Sequence, residues 1–219
     1  NLYTRIVAYG SSNTARRIPG LHWFDCLDLA IHRQYGRIHA CVNSGVGGDT
    51  TRELAIRFDR DAAFYRPDLV IITIGGNDAK PAKNLSANEF RSNLIALKER
   101  FDVLGTFTVF QTYYSARQDM IEANHFERFH EFMQVIRDVA AELECPIVDH
   151  LRRWERLRAH DLRLYESLMA DGMHVNRMGN LVLGLDLCRF FGVPIEDEDL
   201  FWHDARNIQM RMDSLERAS

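Results

Sequence analysis

The chain has 219 residues, of which 46% are hydrophobic and 26% are charged, a composition that is typical of one globular domain and excludes a disordered or membrane-spanning chain. The 27 basic and 31 acidic residues give a formal net charge of −4. Because no basic stripe dominates the sequence, we expect no nucleic-acid partner.

The amino-terminal part of the chain is predicted to contain three strands separated by two helices. The apolar run Ile6–Tyr9 predicts a strand, and apolar residues at helical spacing predict a helix over residues 20–35. A short strand over residues 38–42 runs into a glycine-rich turn, which a helix over residues 51–64 follows. The almost wholly apolar run at residues 68–74 is typical of a central strand in a parallel sheet that is covered on both faces.

The alternation of strand and helix continues to about residue 191. Ser86 and Glu89 have the spacing of a capping box at the start of a helix, and residues 106–112 predict a fourth strand. The remaining predicted elements are helices over residues 119–143, 151–169 and 177–191 and a fifth, short strand over residues 146–148. This pattern predicts an α/β protein, a three-layer α/β/α sandwich with a five-stranded parallel sheet.

We expect one domain over residues 1–195, followed by a carboxyl-terminal tail over residues 196–219. The tail contains too many apolar residues for a solvated segment, among them Leu200, Phe201, Trp202, Ile208, Met210, Met212 and Leu215. It is therefore predicted to pack on the same domain or on a neighbouring subunit. A homo-oligomer formed through this tail is one interpretation of its aromatic residues.

The cysteines and histidines show no spacing that is typical of a metal site. The four cysteines are Cys26, Cys41, Cys145 and Cys188, and they form no C-x-x-C motif. We expect buried free thiols, no metal and no cofactor. The apolar runs are too short for a membrane span and the first residues lack the pattern of a signal peptide. These features favour the cytoplasm, with a removed signal peptide as the open alternative.

Polar or small residues follow each of the first three predicted strands. Ser11 and Ser12 offer hydroxyl groups, Gly47 and Gly48 offer backbone N–H groups without a side chain, and Asn77 offers an amide. The carboxyl ends of parallel strands form the edge of the sheet where ligands bind, so we expect these groups to lie there. Each turn alone has an ordinary explanation: a helix-capping serine, a phosphate-binding glycine loop, or a simple Gly-Gly-Asn-Asp turn.

A fourth turn, before the last predicted helix, carries Asp171 and His174. Residues three apart in a turn can face each other, so the carboxylate can hold Nδ1–H of the imidazole while Nε2 accepts a proton. A helix-capping aspartate beside a surface histidine is the alternative. Together, the four turns provide the hydroxyl, base, carboxylate and oxyanion donors that nucleophilic acyl transfer requires.

In these four segments the chain resembles the SGNH hydrolase superfamily, also called GDSL-type esterases and lipases. The segments are Tyr9–Thr14, Asn43–Thr50, Gly75–Asp78 and Asp171–His174. The resemblance runs from Val7 to about Gly179 and implies a flavodoxin-like arrangement of the sheet.

It further implies that Ser12 is the nucleophile, that Asp171 and His174 complete the triad, and that neither metal nor cofactor takes part. The implied oxyanion donors are the N–H groups of Ser12 and Gly48 and the side chain of Asn77. One departure is Ser11, which stands where the family usually has aspartate.

The resemblance extends to the acetylxylan-esterase-like branch of the family, which implies removal of O-acetyl groups from a small carbohydrate. Tyr113 and Tyr114 follow the fourth strand and are candidates to stack on a sugar ring, or they pack the rim of the fold. An acyl thioesterase or lysophospholipase would use the same triad. A catalytically silent relative that binds carbohydrate or phosphate is the alternative outside the enzymes.

Overall fold

A computed structural model of the chain describes residues 3–195 and 201–217. Five parallel strands form one sheet in the order β2-β1-β3-β4-β5, which is the order of flavodoxin-like folds. They are β1 (Thr4–Gly10), β2 (His39–Gly45), β3 (Leu69–Thr73), β4 (Phe107–Gln111) and β5 (Ile147–Val148). The predicted α/β class and the five-stranded parallel sheet are confirmed.

Helices connect the strands and follow the last of them. They are α1 (Trp23–Tyr35), α2 (Thr51–Asp61), α3 (Ala87–Val103), α4 (Ala123–Glu142), α5 (His150–His160), α6 (Leu162–Ser167), α7 (Arg177–Phe190) and α8 (His203–Arg217). Single 3-10 turns lie at Ala63–Tyr65, Pro81–Lys83 and Gln118–Met120. Among the described residues, none of these helices combines the length and apolar surface that crossing a bilayer requires.

The chain divides into two compact units that alternate along the sequence. The first unit comprises the residues up to Arg17, His39–Tyr113 and Ile121–Asp149, and it holds the sheet with α2, α3 and α4. The second comprises Ile18–Ile38, Tyr114–Met120 and the residues from His150 onward, and it holds α1 and α5 to α8. The domain boundary that we predict at residue 195 falls within the second unit.

The core of the first unit is the centre of the sheet. Val7 and Ala8 of β1 and Val70 and Ile71 of β3 are completely buried, as their uninterrupted apolar runs predict. β1 pairs with β2 on one side and β3 on the other, so the strand that leads to Ser12 lies inside the sheet.

The capping box predicted at Ser86 is only half formed. Ser86 Oγ accepts from the backbone N–H of Glu89 at 3.1 Å, but the Glu89 carboxylate binds the guanidinium of Arg52, with Nη2 and Oε2 2.7 Å apart. A complete box starts α2 instead, where Thr50 N–H donates to the Glu53 carboxylate at 2.7 Å and the Thr50 side chain caps the helix in return.

In the second unit, α1 packs directly on α7. A Cβ built on Gly184 would lie 2.3 Å from Cβ of Cys26, so only glycine lets the two helices approach this closely. Gly36 ends α1, as predicted, with φ of 75°. None of the four cysteines forms a disulfide; Cys26 and Cys188 are buried, and Cys41 and Cys145 are half-buried.

The described part of the carboxyl-terminal tail packs on its own chain. Helix α8 contacts α5 and α7, and Trp202 is 1% exposed. Nε2 of Gln209 donates to Oδ1 of the buried Asp186 at 2.7 Å. Trp202 therefore needs no partner subunit to cover it, whereas Phe201 is 46% exposed. Leu200, with the rest of residues 196–200 and residues 218–219 of the predicted tail, lies outside the described residues.

Candidate active site

The turn after β1 separates two neighbouring serines. The carbonyl of Ser11 accepts from the N–H groups of Thr14 and Ala15 at 3.0 and 2.9 Å, which closes the turn. A Cβ built on Gly10 would lie 2.2 Å from the carbonyl oxygen of Thr73, so glycine is required where the chain turns against β3. Ser12 is left half-buried, whereas Ser11 is completely buried.

The buried Ser11 hydroxyl is bonded to Tyr113. The two side-chain oxygens are 2.8 Å apart, and Tyr113 is 2% exposed. Burial raises the pKa of Tyr113 to about 12, although hydrogen bonds with Ser11 and Asn13 oppose the shift. The phenol therefore stays protonated at neutral pH and serves as a hydrogen-bonding group.

The glycine loop after β2 runs beside Ser12. A Cβ built on Gly47 would lie 3.9 Å from Cβ of Ser12. Gly48 has φ of 90°, and a Cβ built on it would have no protein atom within 4 Å. Gly48 thus adopts a conformation that favours glycine, in an exposed loop that leaves its backbone uncovered.

Asn77 is joined to the end of this loop. Its Nδ2 donates to the carbonyl oxygen of Asp49 at 2.9 Å, and its side chain is almost fully buried. A side-chain amide carries two N–H groups, so this bond leaves the second one for another acceptor. The contact brings two of the predicted oxyanion groups, Gly48 and Asn77, into one hydrogen-bonded assembly.

Asp78 makes a second connection between the same two segments. Its Oδ1 accepts from both the backbone N–H and the hydroxyl of Thr51, each at 2.7 Å. The carboxyl group is completely buried, and this burial raises its pKa to about 6. Asn77 and Asp78 together fix the turn after β3 to the start of α2.

Two further buried residues that our sequence analysis did not identify support these turns. Arg57 Nε lies 2.6 Å from Oδ2 of Asp49, and its Nη2 donates to the carbonyl of Gly10 at 2.8 Å. His125 Nε2 lies 3.0 Å from the carbonyl oxygen of Gly76, and burial lowers the pKa of this imidazole. Because Gly76 offers an acceptor, the neutral His125 must carry its proton on Nε2.

Asp171 and His174 pair within one tight turn. Nδ1 of His174 lies 2.8 Å from both carboxylate oxygens of Asp171, and Oδ1 also accepts from the N–H of Met173. An isolated antiparallel bridge between Met169 and Val175 closes the base of the turn. With a carboxylate on Nδ1, that nitrogen carries the proton, and Nε2 is the nitrogen that can accept one.

Tyr114 holds the same turn from the side. Its hydroxyl donates to the carbonyl of Met173 at 2.8 Å and accepts from the N–H of Val175 at 2.9 Å. Tyr114 is 4% exposed, so its ring, like that of Tyr113, offers almost no face to a ligand. This burial counts against the expected stacking of a sugar ring on the two tyrosines.

The structure thus forms two groups of predicted site residues. Ser12, Gly48 and Asn77 belong to the first compact unit, where the glycine loop links them. Asp171 and His174 belong to the second unit, where one turn pairs them. In each group, buried residues hydrogen-bond to the turns that carry the predicted site residues.

Comparison with known proteins gives these groups a family context. The chain matches the GDSL-like lipase/acylhydrolase family over residues 8–182. It is 28% identical over 216 residues to a Bacillus subtilis (strain 168) protein named uncharacterized lipoprotein YqeF, across 81% of this chain and 85% of that protein. It is 26% identical over 164 residues to an acetylxylan esterase of Geobacillus stearothermophilus, across 69% and 71% of the two chains.

The fold is also that of a solved esterase. The structure of Axe2, an acetylxylan esterase from Geobacillus stearothermophilus, matches with a TM-score of 0.75 and 19% identity, over 90% of this chain and 99% of that one. These relatives are consistent with the acetylxylan-esterase-like branch that the sequence resembles. Because the family match includes all four motifs, from the turn after β1 to the start of α7, the chain belongs to the GDSL-like lipase/acylhydrolase family and is a carboxylic ester hydrolase.

Proposed function

We propose that the enzyme removes O-acetyl groups from a small carbohydrate through a serine acyl-enzyme. The observation that carries the mechanism is the contact of His174 Nδ1 with both oxygens of Asp171 at 2.8 Å. This contact fixes the tautomer in which Nε2 has a lone pair, as a general base needs. The half-buried Ser12 is the proposed nucleophile, since the hydroxyl of Ser11 is buried against Tyr113.

In the first step, Nε2 of His174 takes the proton of Ser12 as Oγ attacks the ester carbonyl carbon. The N–H groups of Ser12 and Gly48 and Nδ2 of Asn77 donate to the oxyanion that forms. The imidazolium then gives its proton to the ester oxygen of the sugar, whose bond to the acyl carbon breaks so that it leaves as a hydroxyl group, and the acetyl group remains on Ser12. In the second step water attacks this ester, with His174 again as base, and acetate leaves.

The substrate class rests on the relatives rather than on a contact of this chain. One relative at 26% identity is named an acetylxylan esterase, which supports an acetylated carbohydrate as substrate. A thioesterase or lysophospholipase would use the same residues, and the length of the preferred acyl chain distinguishes these activities. The proposed reaction requires neither metal nor organic cofactor, because its donors and its base are side chains and backbone N–H groups.

The test compares hydrolysis of p-nitrophenyl esters from acetate to decanoate by the native enzyme, Ser12→Ala and Ser11→Ala. We expect the highest kcat/KM on acetate and a loss of about 10⁴-fold or more in Ser12→Ala. Ser11→Ala leaves the proposed nucleophile in place and should lose far less. Release of acetate from acetylated xylo-oligosaccharides then tests the carbohydrate directly.

Three other outcomes would point to a different substrate, a different nucleophile or the absence of catalysis. Highest activity on octanoate or decanoate would favour the lipid or thioester substrates. Full activity in Ser12→Ala would contradict the proposed nucleophile. Inactivity of the native enzyme on every ester would favour the silent binding protein.

We further propose a location for the enzyme in the cell and self-association through its tail. None of the four cysteines forms a disulfide, which fits a reducing compartment and supports the cytoplasm. Cell fractionation tests this location, since the relative YqeF is named a lipoprotein. The half-exposed Phe201 supports self-association through the tail. A monomer in light scattering at micromolar concentration would contradict it.

A further inference from the structure

Tyr113 and Tyr114 are consecutive in sequence but belong to different compact units. Each hydroxyl binds the chain directly beside one proposed catalytic residue. We infer that both tyrosines are positioning residues of the esterase, Tyr113 for Ser12 and Tyr114 for His174. This inference rests on the proposed function, because it presumes that Ser12 and His174 carry out the reaction.

The Tyr113 hydroxyl connects the turn of Ser12 with the turn of Asn77. It lies 2.8 Å from Oγ of Ser11, and it also hydrogen-bonds the side chain of Asn13 and the backbone of Gly76. Ser11 and Asn13 flank Ser12, and Gly76 precedes Asn77. One phenol therefore ties the proposed nucleophile turn to the turn that supplies an oxyanion donor.

The Tyr114 hydroxyl binds the backbone on both sides of His174. It donates to the carbonyl of Met173 at 2.8 Å and accepts from the N–H of Val175 at 2.9 Å. Val175 is 6% exposed, so water has little access to replace this bond. The ring itself is fixed against Trp154, with 5.3 Å between the ring centroids.

Both rings are too deeply buried to touch substrate, which makes positioning, and not binding, their role. Relative exposures of 2% and 4% leave no aromatic face for stacking on a sugar. The position of the imidazole and of the serine oxygen determines the rate of the chemical step, and a displacement of about 1 Å lowers it by up to about 100-fold. Substrate affinity does not depend on these hydroxyls.

The experiment removes each hydroxyl alone, as Tyr113→Phe and Tyr114→Phe, and keeps the buried ring. A matched control in the second unit is Tyr165→Phe, whose hydroxyl is also buried and donates to the carbonyl of Ser115 at 3.2 Å. The control in the first unit is Thr106→Val, which removes a buried hydroxyl bonded to the carbonyl of Pro67. For every variant, kcat and KM on p-nitrophenyl acetate and the Tm are measured beside Ser12→Ala.

We expect Tyr113→Phe and Tyr114→Phe each to lower kcat by about 10- to 100-fold with KM within about twofold of the native value. The two controls should show a similar decrease in Tm, while their kcat stays within about twofold of the native value. Unchanged kcat in both tyrosine variants, with Ser12→Ala inactive, would overturn the inference alone. Equal loss of kcat in the controls would also overturn it, because the loss would then reflect general loosening. Full activity of Ser12→Ala would instead overturn the proposed function.

Discussion

Arg57 and Asp49 form a buried ion pair in which Nε donates to Oδ2 over 2.6 Å, with side-chain exposures of 7% and 11%. The same guanidinium donates to the carbonyls of Gly10 and Ser44, at the carboxyl ends of β1 and β2. The carbonyl of Asp49 accepts from Asn77. One arginine thus joins the strand before Ser12 to the loop that bears Gly48, one of the proposed oxyanion donors.

Replacing this arginine should destabilise the enzyme strongly. Arg57→Ala leaves the carboxylate of Asp49 buried without a cation, and we expect the free energy of unfolding to fall by about 3–5 kcal/mol. Arg60→Ala is the control, because Arg60 lies on the same helix and pairs with Asp61 but its side chain is 78% exposed. Urea denaturation of both variants checks the prediction, and equal losses would contradict it.

The two loop glycines should respond differently to alanine. Gly48 has φ of 90°, so Gly48→Ala should lower the free energy of unfolding by about 1–3 kcal/mol through backbone strain. Gly47 does not have positive φ, and its new Cβ would make an ordinary contact with Ser12 at 3.9 Å. Gly47→Ala should therefore leave the stability in urea unchanged or slightly higher. A larger loss of stability in Gly47→Ala than in Gly48→Ala would contradict the positive φ of Gly48.

The carboxylate of Asp171 should act on kcat through the tautomer of His174. In Asp171→Asn the amide can donate to Nδ1, which moves the imidazole proton to Nε2 and removes the base. We expect kcat on p-nitrophenyl acetate to fall by about 10³- to 10⁴-fold. Asp161→Asn is the control, since Asp161 also accepts a backbone N–H, from Leu164, and asparagine caps a helix equally well. Comparable losses in the two variants would contradict this role.

Ionisation of the Asp78 carboxyl group should lower the free energy of unfolding as pH rises. Its pKa is raised from 3.8 to about 6 by burial, so between pH 4 and pH 6 the folded state binds more protons than the unfolded state. Asp78→Asn lacks this titration, and its stability relative to the native enzyme should rise by about 2 kcal/mol between pH 4 and pH 7. The measurement is urea denaturation at a series of pH values.

Asp68 provides the opposite control for that experiment. Hydrogen bonds from Arg5 lower the pKa of Asp68, so its contribution to stability is lost as pH falls. Asp68→Asn should therefore lose stability relative to the native enzyme as pH rises, the reverse of Asp78→Asn. Parallel profiles of both variants and the native enzyme would contradict the assignment of a raised pKa to Asp78.

The sequence predicted helix starts and buried strands better than it predicted which distant residues the long side chains contact. The pattern of a capping box occurs at both Thr50 and Ser86, yet only the first is complete. The difference arises because Arg52 captures Glu89 across 37 residues of sequence, and local spacing carries no information about that contact. The apolar run of β3 needed no such partner, so its place in the sheet followed from composition alone.

The two tyrosines show the same limit at the candidate site. Their position after β4 predicted a place at the candidate site, but it could not predict the distant partners of their hydroxyls. Ser11 lies 102 residues before Tyr113, and Met173 and Val175 lie 59 and 61 residues after Tyr114. Arg57 could have been found, because it is three residues after the buried Leu54 and so falls on the apolar stripe of α2. A charged residue on such a stripe predicts a buried ion pair.

Because β1 lies inside the sheet, both of its neighbouring strands must be made before the sheet around it can form. Thr4 pairs with His39 and Ile6 with Leu69, so β1 leaves the ribosome before both of its neighbours in the sheet. Tyr113 and then His174 emerge later still. The nascent chain therefore carries its proposed nucleophile without the proposed base until His174 has been made, so we expect no hydrolysis before that point.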